Sequence, residues 1–529
     1  MDTRTTPPQK DDHASLIVTL LTLYALLVHG FHPYVEDGGV YIAGIKKLLD
    51  PALYPAWSQF VTEHLRFSVF APTLAGLTRV SHLSLPWVLF LLYLATVWLT
   101  LRAAWMLIAR ATPSLPARAG ATSLLAAWIT LPIAGTSLML MDPYLTARSF
   151  STPLALLALV LALDAVSQPH QRTRNALLCA IAILLAAVLH PLMAGYAAAA
   201  VAILIIAASR NPAIRRFGPL ALLAIALLTA AALHFKAPQE SPDYVRIAMT
   251  RYYWFPFRWE WYEQLGLIAP LLLLFFLGRT RQHTENWTAL TRTALLLGAI
   301  SLTVAIAFSR AGLATHLVAR MQPLRCYQLV YELMILLLGA WLGEHLLKRN
   351  PWRWTALLLA FGALMFYVQR STFPASDHLE FPGRTPSNPW VQAFLWSRDH
   401  TPKDALFALD AHYITRGHSE DAQTFRAIAE RSALPDYSKD GGEASITPNL
   451  TTAWVLGQSA QTGLETMTDS QRLAALTPFQ VTWAILETPS PTNWLCPYRN
   501  AIVKVCQLPR TNTSSSFPAA GLIQPVTLR

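Results

Sequence analysis

Charged side chains are scarce in this 529-residue chain: Asp, Glu, Lys and Arg make up 13% of it, against about 25% in an ordinary soluble domain. The deficit is local. Residues 14–369 hold long apolar blocks, whereas 370–529 read as a normal globular sequence. Cysteine is sparse too, at 4 residues, which excludes a scaffold built on disulfides. There is no internal repeat of the kind that marks an inverted-repeat transporter. The C-terminal third has no metal-ligand spacing, no Gly-rich phosphate loop and no nucleophile elbow, so nothing in it demands catalysis.

What is present is apolar and basic: 53% hydrophobic residues, a mean hydropathy of +0.36 and a formal charge of +11. The basic residues stand in small clusters between apolar blocks, the pattern of loops on the cytoplasmic side of a membrane. A nucleic-acid partner is not expected from that arrangement; the expected partner is the lipid bilayer.

A helix needs about 20 apolar residues to cross the hydrocarbon core. That criterion predicts spans at 14–31, 84–108, 119–140, 150–167, 175–190, 192–208, 218–235, 262–278, 294–309, 326–346 and 353–369. The first follows Arg4 and Lys10 but precedes no small-x-small cleavage pattern, so it reads as an uncleaved span. Residues 67–80 are short and Pro-broken and read as an interfacial helix. With the N-terminus cytoplasmic, Arg110 and Arg118, Arg172 and Arg174, Arg210, Arg215 and Arg216, Arg279, Arg281 and Arg292, and Lys348, Arg349 and Arg353 all fall inside. The C-terminal domain then lies outside. The fold class expected is mostly α: a transmembrane bundle of about eleven spans with a small C-terminal α/β extracytoplasmic domain. Its parts are a helical domain at 1–369, including a long first outer loop at 32–83, a connector at 370–385 and a soluble domain at 386–529.

Sorting the residues by side leaves an unusual set on the outer face. The first outer loop opens with Glu36 and Asp37 beside Gly38 and Gly39. Two adjacent carboxylates there could take a proton, hold a divalent cation, or be merely solvated. The second outer loop carries Asp142 and Arg148, which may also be read as a pair stapling that loop. His190 sits where two spans meet, as a ligand or as a hydrogen-bonded structural group. The next outer loop is cationic and aromatic, with Arg251, Tyr253 and Arg258, and Arg320 and Arg325 precede the tenth span. Aromatic belts need no function, but arginines on this face run against the positive-inside tendency. Their planar guanidinium groups suit a phosphate, which they can bind bidentately; snorkelling to lipid headgroups is the plainer alternative. Glu332 is the one carboxylate placed well inside a span, as a functional group or as a counter-charge for those arginines.

In the soluble domain, 388–400 and 421–432 read as helices and 405–410, 481–487 and 501–508 as strands. Cys496 and Cys506 flank an expected hairpin, where a disulfide is sterically feasible.

Taken together, Glu36-Asp37 after the first span, the long first outer loop, Asp142 opening the next one, and TPKDALFALD followed by TFRAIAERS make the chain resemble the GT-C superfamily of polytopic membrane glycosyltransferases. The last two motifs are similar to a stretch that follows the final span in uncharacterised bacterial members. The resemblance implies inverting transfer of a sugar from a polyprenyl-phosphate-linked donor to a glycan, lipid or protein acceptor, on the outer face of a bacterial inner membrane. It implies Glu36 or Asp37 as general base, Asp142 assisting the acceptor or a metal, and Arg320 and Arg325 on the donor phosphate. Arg148, Arg251 and Arg258 are further candidates for that phosphate. Glu36, Asp37 and Asp142 would hold Mg or Mn if a divalent cation takes part, although the first loop has no Asp-x-Asp. Two other classes stay open. A flippase or transporter for a lipid-linked glycan would use ionisable groups at the midplane, such as Glu332. A non-catalytic scaffold for envelope assembly would use the soluble domain to bind a protein.

Overall fold

A computed structural model describes residues 13–280, 284–416 and 421–509. Arg4, Lys10, Arg281 and the chain beyond 509 lie outside the described residues. The first region runs α1 (Ala14–His29), α2 (Glu36–Leu49), α3 (Gln59–Thr62), α4 (Phe70–Ser81), α5 (Leu85–Ala111) and α6 (Leu115–Ala127). There follow α7 (Ala147–Ser167), α8 (Arg172–Leu189), α9 (Pro191–Ala207), α10 (Pro212–Lys236), α11 (Pro242–Thr250) and α12 (Trp261–Leu277). The bundle closes with α13 (Glu285–Phe308), α14 (Leu317–Arg320), α15 (Tyr327–Leu342) and α16 (Pro351–Thr372).

Among the described residues, 7 helical segments are long and apolar enough to cross a membrane, and α1, α9 and α12 are shorter apolar helices. The chain is a multi-pass membrane protein. The span expected at 119–140 is not a single helix. α6 stops at Ala127, and 128–146 folds back as an irregular hairpin in which Ile133 N donates to Leu138 O and Leu140 N to Leu131 O. Pro132 explains the break, because it lacks a donor and clashes with a preceding helical turn. Non-helical backbone at this depth is tolerated because protein covers it: Ile133, Leu138 and Leu140 are buried.

The ends of the bundle can be told apart by their hydrogen bonds. Arg110 pairs with Asp164 at 2.9 Å and Asn286 Nδ2 donates to Arg110 O, which joins the ends of α5 and α7 to the start of α13. At the other end, His32 N donates to Pro143 O, and Ser68 Oγ donates to Leu189 O at 2.5 Å. Residues 32–83, expected as a long loop, are therefore not a loop in the ordinary sense. They are α2, α3 and α4 laid across that second end, with α4 close to the interfacial helix expected at 67–80.

The C-terminal part contains α17 (Pro389–His400), β1 (Leu406–Ala408), α18 (Phe425–Ala429), β2 (Ser432–Ala433), α19 (Lys439–Ile446), α20 (Thr451–Gln461) and α21 (Asp469–Leu476), then β3 (Trp483–Glu487), β4 (Leu495–Arg499) and β5 (Val503–Gln507). The strands form one sheet in the order β2-β1-β3-β5-β4, parallel around β1 and antiparallel across β3, β5 and β4. Cys496 and Cys506 form a disulfide across the β4–β5 hairpin. The helix expected over 421–432 is only the short α18, and α19, α20 and α21 were not anticipated by hydrophobic periodicity.

Candidate functional site

The C-terminal part rests on α2. Lys46 pairs with Glu430 at 2.6 Å, and Tyr54 Oη donates to Arg426 O at 2.9 Å. Gly38 and Gly39 allow the approach. A Cβ on Gly39 would overlap Thr424 Oγ1, and one on Gly38 would lie 2.5 Å from Pro33 O and 3.1 Å from the Tyr144 ring. Glu36 begins α2 at φ 48°, a left-handed conformation that disfavours any residue with a Cβ. Both acids occupy the first turn, where the helix dipole favours negative charge.

The two carboxylates part company there. Glu36 Oε2 is hydrogen-bonded to the Lys439 ammonium of α19. Asp37 lies 3.5 Å from the same nitrogen, with its side chain 62% exposed. Asp37 is the open acid of the pair.

Asp142 and Arg148 form the staple that was one reading of that loop. Arg148 Nη2 donates to both carboxylate oxygens at 2.5 Å, and Nη1 to Met139 O at 2.5 Å. Both side chains are buried, at 7% and 8%. Burial pushes the Asp142 carboxyl up from its ordinary value, and Arg148 opposes that shift without reversing it. Ser149 Oγ accepts from Thr146 N at 3.1 Å and so fixes the first turn of α7, which carries Arg148.

Tyr41, one turn beyond Asp37, records what converges at this end of the bundle. Burial raises its phenol pKa first of all; the Asp37 and Asp142 carboxylates raise it further, while Arg148 and Arg325 lower it. Charged groups from three segments, Asp37 of α2, the Asp142–Arg148 pair and Arg325, thus act on one hydroxyl. Arg325, in the short helix Pro323–Cys326, has its Nε buried and without a hydrogen-bond partner among the described residues.

The remaining candidates separate into distinct places. Arg320 stacks over Tyr244, 5.9 Å from the ring centroid. Arg251 donates from Nε to Thr250 Oγ1, from Nη1 to Ser438 O and from Nη2 to Tyr437 O, and so ties the C-terminal part to the bundle. Arg258 is exposed, over the Phe255 ring, and donates to Met249 O at 3.1 Å. His190 accepts from Met193 N at 3.4 Å, capping α9, within electrostatic reach of Arg325 and Arg148. Tyr253 lines a cleft with Arg325. Glu332 is buried in α15, receives Gln328 Nε2 at 3.3 Å on one oxygen and has the other unpartnered.

The proposed metal ligands do not fit a cation. Glu36 is held by Lys439 and Asp142 by Arg148, and among the described residues no three His, Cys, Asp or Glu side chains gather as ligands. Lys439 and Tyr41 escaped sequence reasoning, and a single Lys or Tyr carries no spacing that could have singled it out.

No family model matches the chain, and no curated protein matches it by sequence. Among solved structures it is similar to the Archaeoglobus fulgidus oligosaccharyltransferase tethered with an acceptor peptide containing the NVT sequon, with a TM-score of 0.49 and 14% identity over 90% of this chain and 69% of that one. It is similar to the archaeal oligosaccharyltransferase AglB from Archaeoglobus fulgidus in complex with an inhibitory peptide and a dolichol-phosphate, with a TM-score of 0.48 and 12% identity over 90% and 70%. It is also similar to the arabinofuranosyltransferase AftD from Mycobacteria, with a TM-score of 0.45 and 13% identity over 92% of this chain and 37% of that one.

Proposed function

We propose that this chain is an inverting membrane glycosyltransferase that takes a sugar from a polyprenyl-phosphate-linked donor and passes it to a glycan, lipid or protein acceptor. The observation that carries the reading is a pair of unspent groups, Asp37, 62% exposed at the start of α2, and Arg325, whose Nε is buried without a hydrogen-bond partner among the described residues, both within electrostatic reach of Tyr41. Asp37 is the base: it is the carboxylate of the set that remains open. The acceptor hydroxyl loses its proton to Asp37 as its oxygen attacks the anomeric carbon, and the bond to the phosphate oxygen breaks on the opposite face. The leaving phosphate gains negative charge, which Arg325 neutralises where water is largely excluded. Glu36 instead holds Lys439 in place, and the Asp142–Arg148 pair sets the field around the base. In this reading the end that carries Asp37 faces the periplasm of a bacterial inner membrane, and the N-terminus is cytoplasmic.

Transfer from polyprenyl-phosphate-linked sugars, measured with the purified protein in bilayers, tests it. Asp37→Asn is expected to lower the rate by about 10²–10⁴-fold, as loss of a general base does, with unchanged membrane abundance. Full activity in that variant overturns the assignment of the base. The unpartnered oxygen of Glu332 favours a second reading, a carrier of lipid-linked glycan. Under that reading Glu332→Gln stops translocation across vesicles and Asp37→Asn does not.

A further inference from the structure

A cavity of about 150 Å³ lies on the far side of α2 from the proposed base. Lys46, on its wall, follows Asp37 by about two and a half helical turns and so projects from the opposite face of α2. The bundle supplies one side, with Phe31 just beyond α1 and Pro86 in the first turn of α5. The C-terminal part supplies another, with Leu395 of α17 and Ile428 of α18, and the chain between α16 and α17 closes a third. A space of that size takes a compact group of about six to eight heavy atoms.

Its position says where an occupant comes from. Leu27 on α1 and Trp87 and Leu91 on α5 flank Phe31 and Pro86 and are exposed. Exposed apolar side chains at the ends of spanning helices face lipid, and a Trp at that level marks the headgroup zone. The cavity adjoins the boundary between bilayer and water.

The charges on the lining state what the occupant carries. Of the five charged residues there, three are spent within the chain. Lys46 pairs with Glu430 at 2.6 Å, Arg398 donates to both Asp399 oxygens at 2.8 and 3.2 Å, and Glu380 is hydrogen-bonded to His32 at 2.9 Å. Asp377 and Arg384 are left. Both are exposed, and among the described residues neither side chain joins a hydrogen bond or an ion pair. Arg384 lies over the Phe381 ring, 5.4 Å from its centroid, which holds the guanidinium at the rim. The Tyr34 hydroxyl also makes no hydrogen bond among the described residues; burial, then the Glu380 and Glu430 carboxylates, push its phenol up to about 12, so it stays a neutral donor. A guanidinium binds phosphate bidentately, and a carboxylate pairs with a primary ammonium through charge-assisted hydrogen bonds. The complementary group carries both charges a few atoms apart.

We propose that this cavity binds the phosphoethanolamine headgroup of a membrane lipid, its phosphate on Arg384 and the Tyr34 hydroxyl and its ammonium on Asp377. The acyl chains then run along the exposed face of α5 past Leu91. Because bundle and C-terminal part both line the cavity, a bound headgroup bridges them. The site is separate from the one proposed for sugar transfer and does not depend on it.

Binding of dihexanoyl phosphatidylethanolamine, phosphatidylcholine and phosphatidylglycerol to the full chain in detergent tests the proposal. The choline lipid keeps the positive charge but has no N–H to donate, and the glycerol lipid lacks the charge. The wild type is expected to bind the ethanolamine lipid about tenfold more tightly than either of the others. Asp377→Ala should erase that preference, and Arg384→Gln should weaken all three lipids by about tenfold alike. Both side chains are exposed, so the variants should unfold at the wild-type temperature when no lipid is added. A wild type without the preference overturns the proposal, as does a preference that survives Asp377→Ala or an affinity that Arg384→Gln leaves unchanged. Free phosphoethanolamine binding as tightly as the lipid also overturns it, and would assign the cavity to a soluble ligand.

Discussion

The ammonium of Lys439, carried by the C-terminal domain, lies 3.5 Å from the carboxylate of Asp37 at the start of α2. The same ammonium is bonded to Glu36. The proposed base is therefore completed by a residue some four hundred positions away in sequence, and the C-terminal domain belongs to the site. Lys439→Met is expected to destabilise the docked arrangement by about 2 kcal/mol, between the surface and buried limits for an ion pair. Thermal unfolding in detergent checks the value; a change within about 0.5 kcal/mol would mean that the contact does not hold the domain.

Asp142→Asn leaves Arg148 buried without its counter-charge, which should cost about 3–5 kcal/mol. Asp142→Asn combined with Arg148→Met removes the stranded charge and should recover much of that loss. A double variant no more stable than Asp142→Asn alone would contradict the pairing described here.

The approach of α2 to the C-terminal domain depends on Gly39, because a Cβ there overlaps Thr424 Oγ1. Gly39→Ala should loosen docking and expose the chain between α16 and α17, residues 373–388, to proteolysis. Thr424→Gly in the same chain should restore part of that resistance, because the Tyr34 carbonyl still lies 2.8 Å from the added Cβ. Wild-type protection in Gly39→Ala would show that the interface gives way at little cost.

His316 and Glu240, 2.6 Å apart, give the pH dependence a definite sign. Burial works against a charge on His316, but the hydrogen bonds it donates to Glu240 and the Ala311 carbonyl outweigh it and raise its pKa. Burial likewise works against the Glu240 carboxylate, and His316 with Thr315 outweighs it and lowers its pKa. The His316 contribution to stability is complete below its unfolded value of about 6.5 and is lost as pH rises through the raised folded value. The Glu240 contribution is complete above about 4.3 and is lost as pH falls through the lowered folded value. Stability from this pair should therefore peak near pH 5–6, and Glu240→Gln should flatten both limbs in a plot of unfolding temperature against pH.

Much of the bundle is legible in the sequence, because apolar length and the placing of arginines are direct consequences of the bilayer. The break at Pro132 is harder to read. The residues of 119–140 are as apolar in a covered hairpin as in a spanning helix, so composition does not separate the two. Asp37 is legible from its neighbours Gly38 and Gly39, whereas its division of labour with Glu36 depends on Lys439, which no local pattern announces. Arg251 shows the converse: it matches the chemistry sought, yet the fold gives its donors to the carbonyls of Tyr437 and Ser438. Side-chain type reports what a residue can bind, and only the tertiary contacts report what it has already bound.

The central claim is spatial: at one end of the bundle, the open carboxylate of Asp37 and the arginine proposed to receive the donor phosphate serve one bound donor. An experimental structure of the full chain with bound polyprenyl phosphate measures this most directly. The account predicts the phosphate within hydrogen-bonding distance of Arg325, at the end of the bundle that carries Asp37. A phosphate bound at the opposite end, beside Arg110 and Asp164, would contradict it.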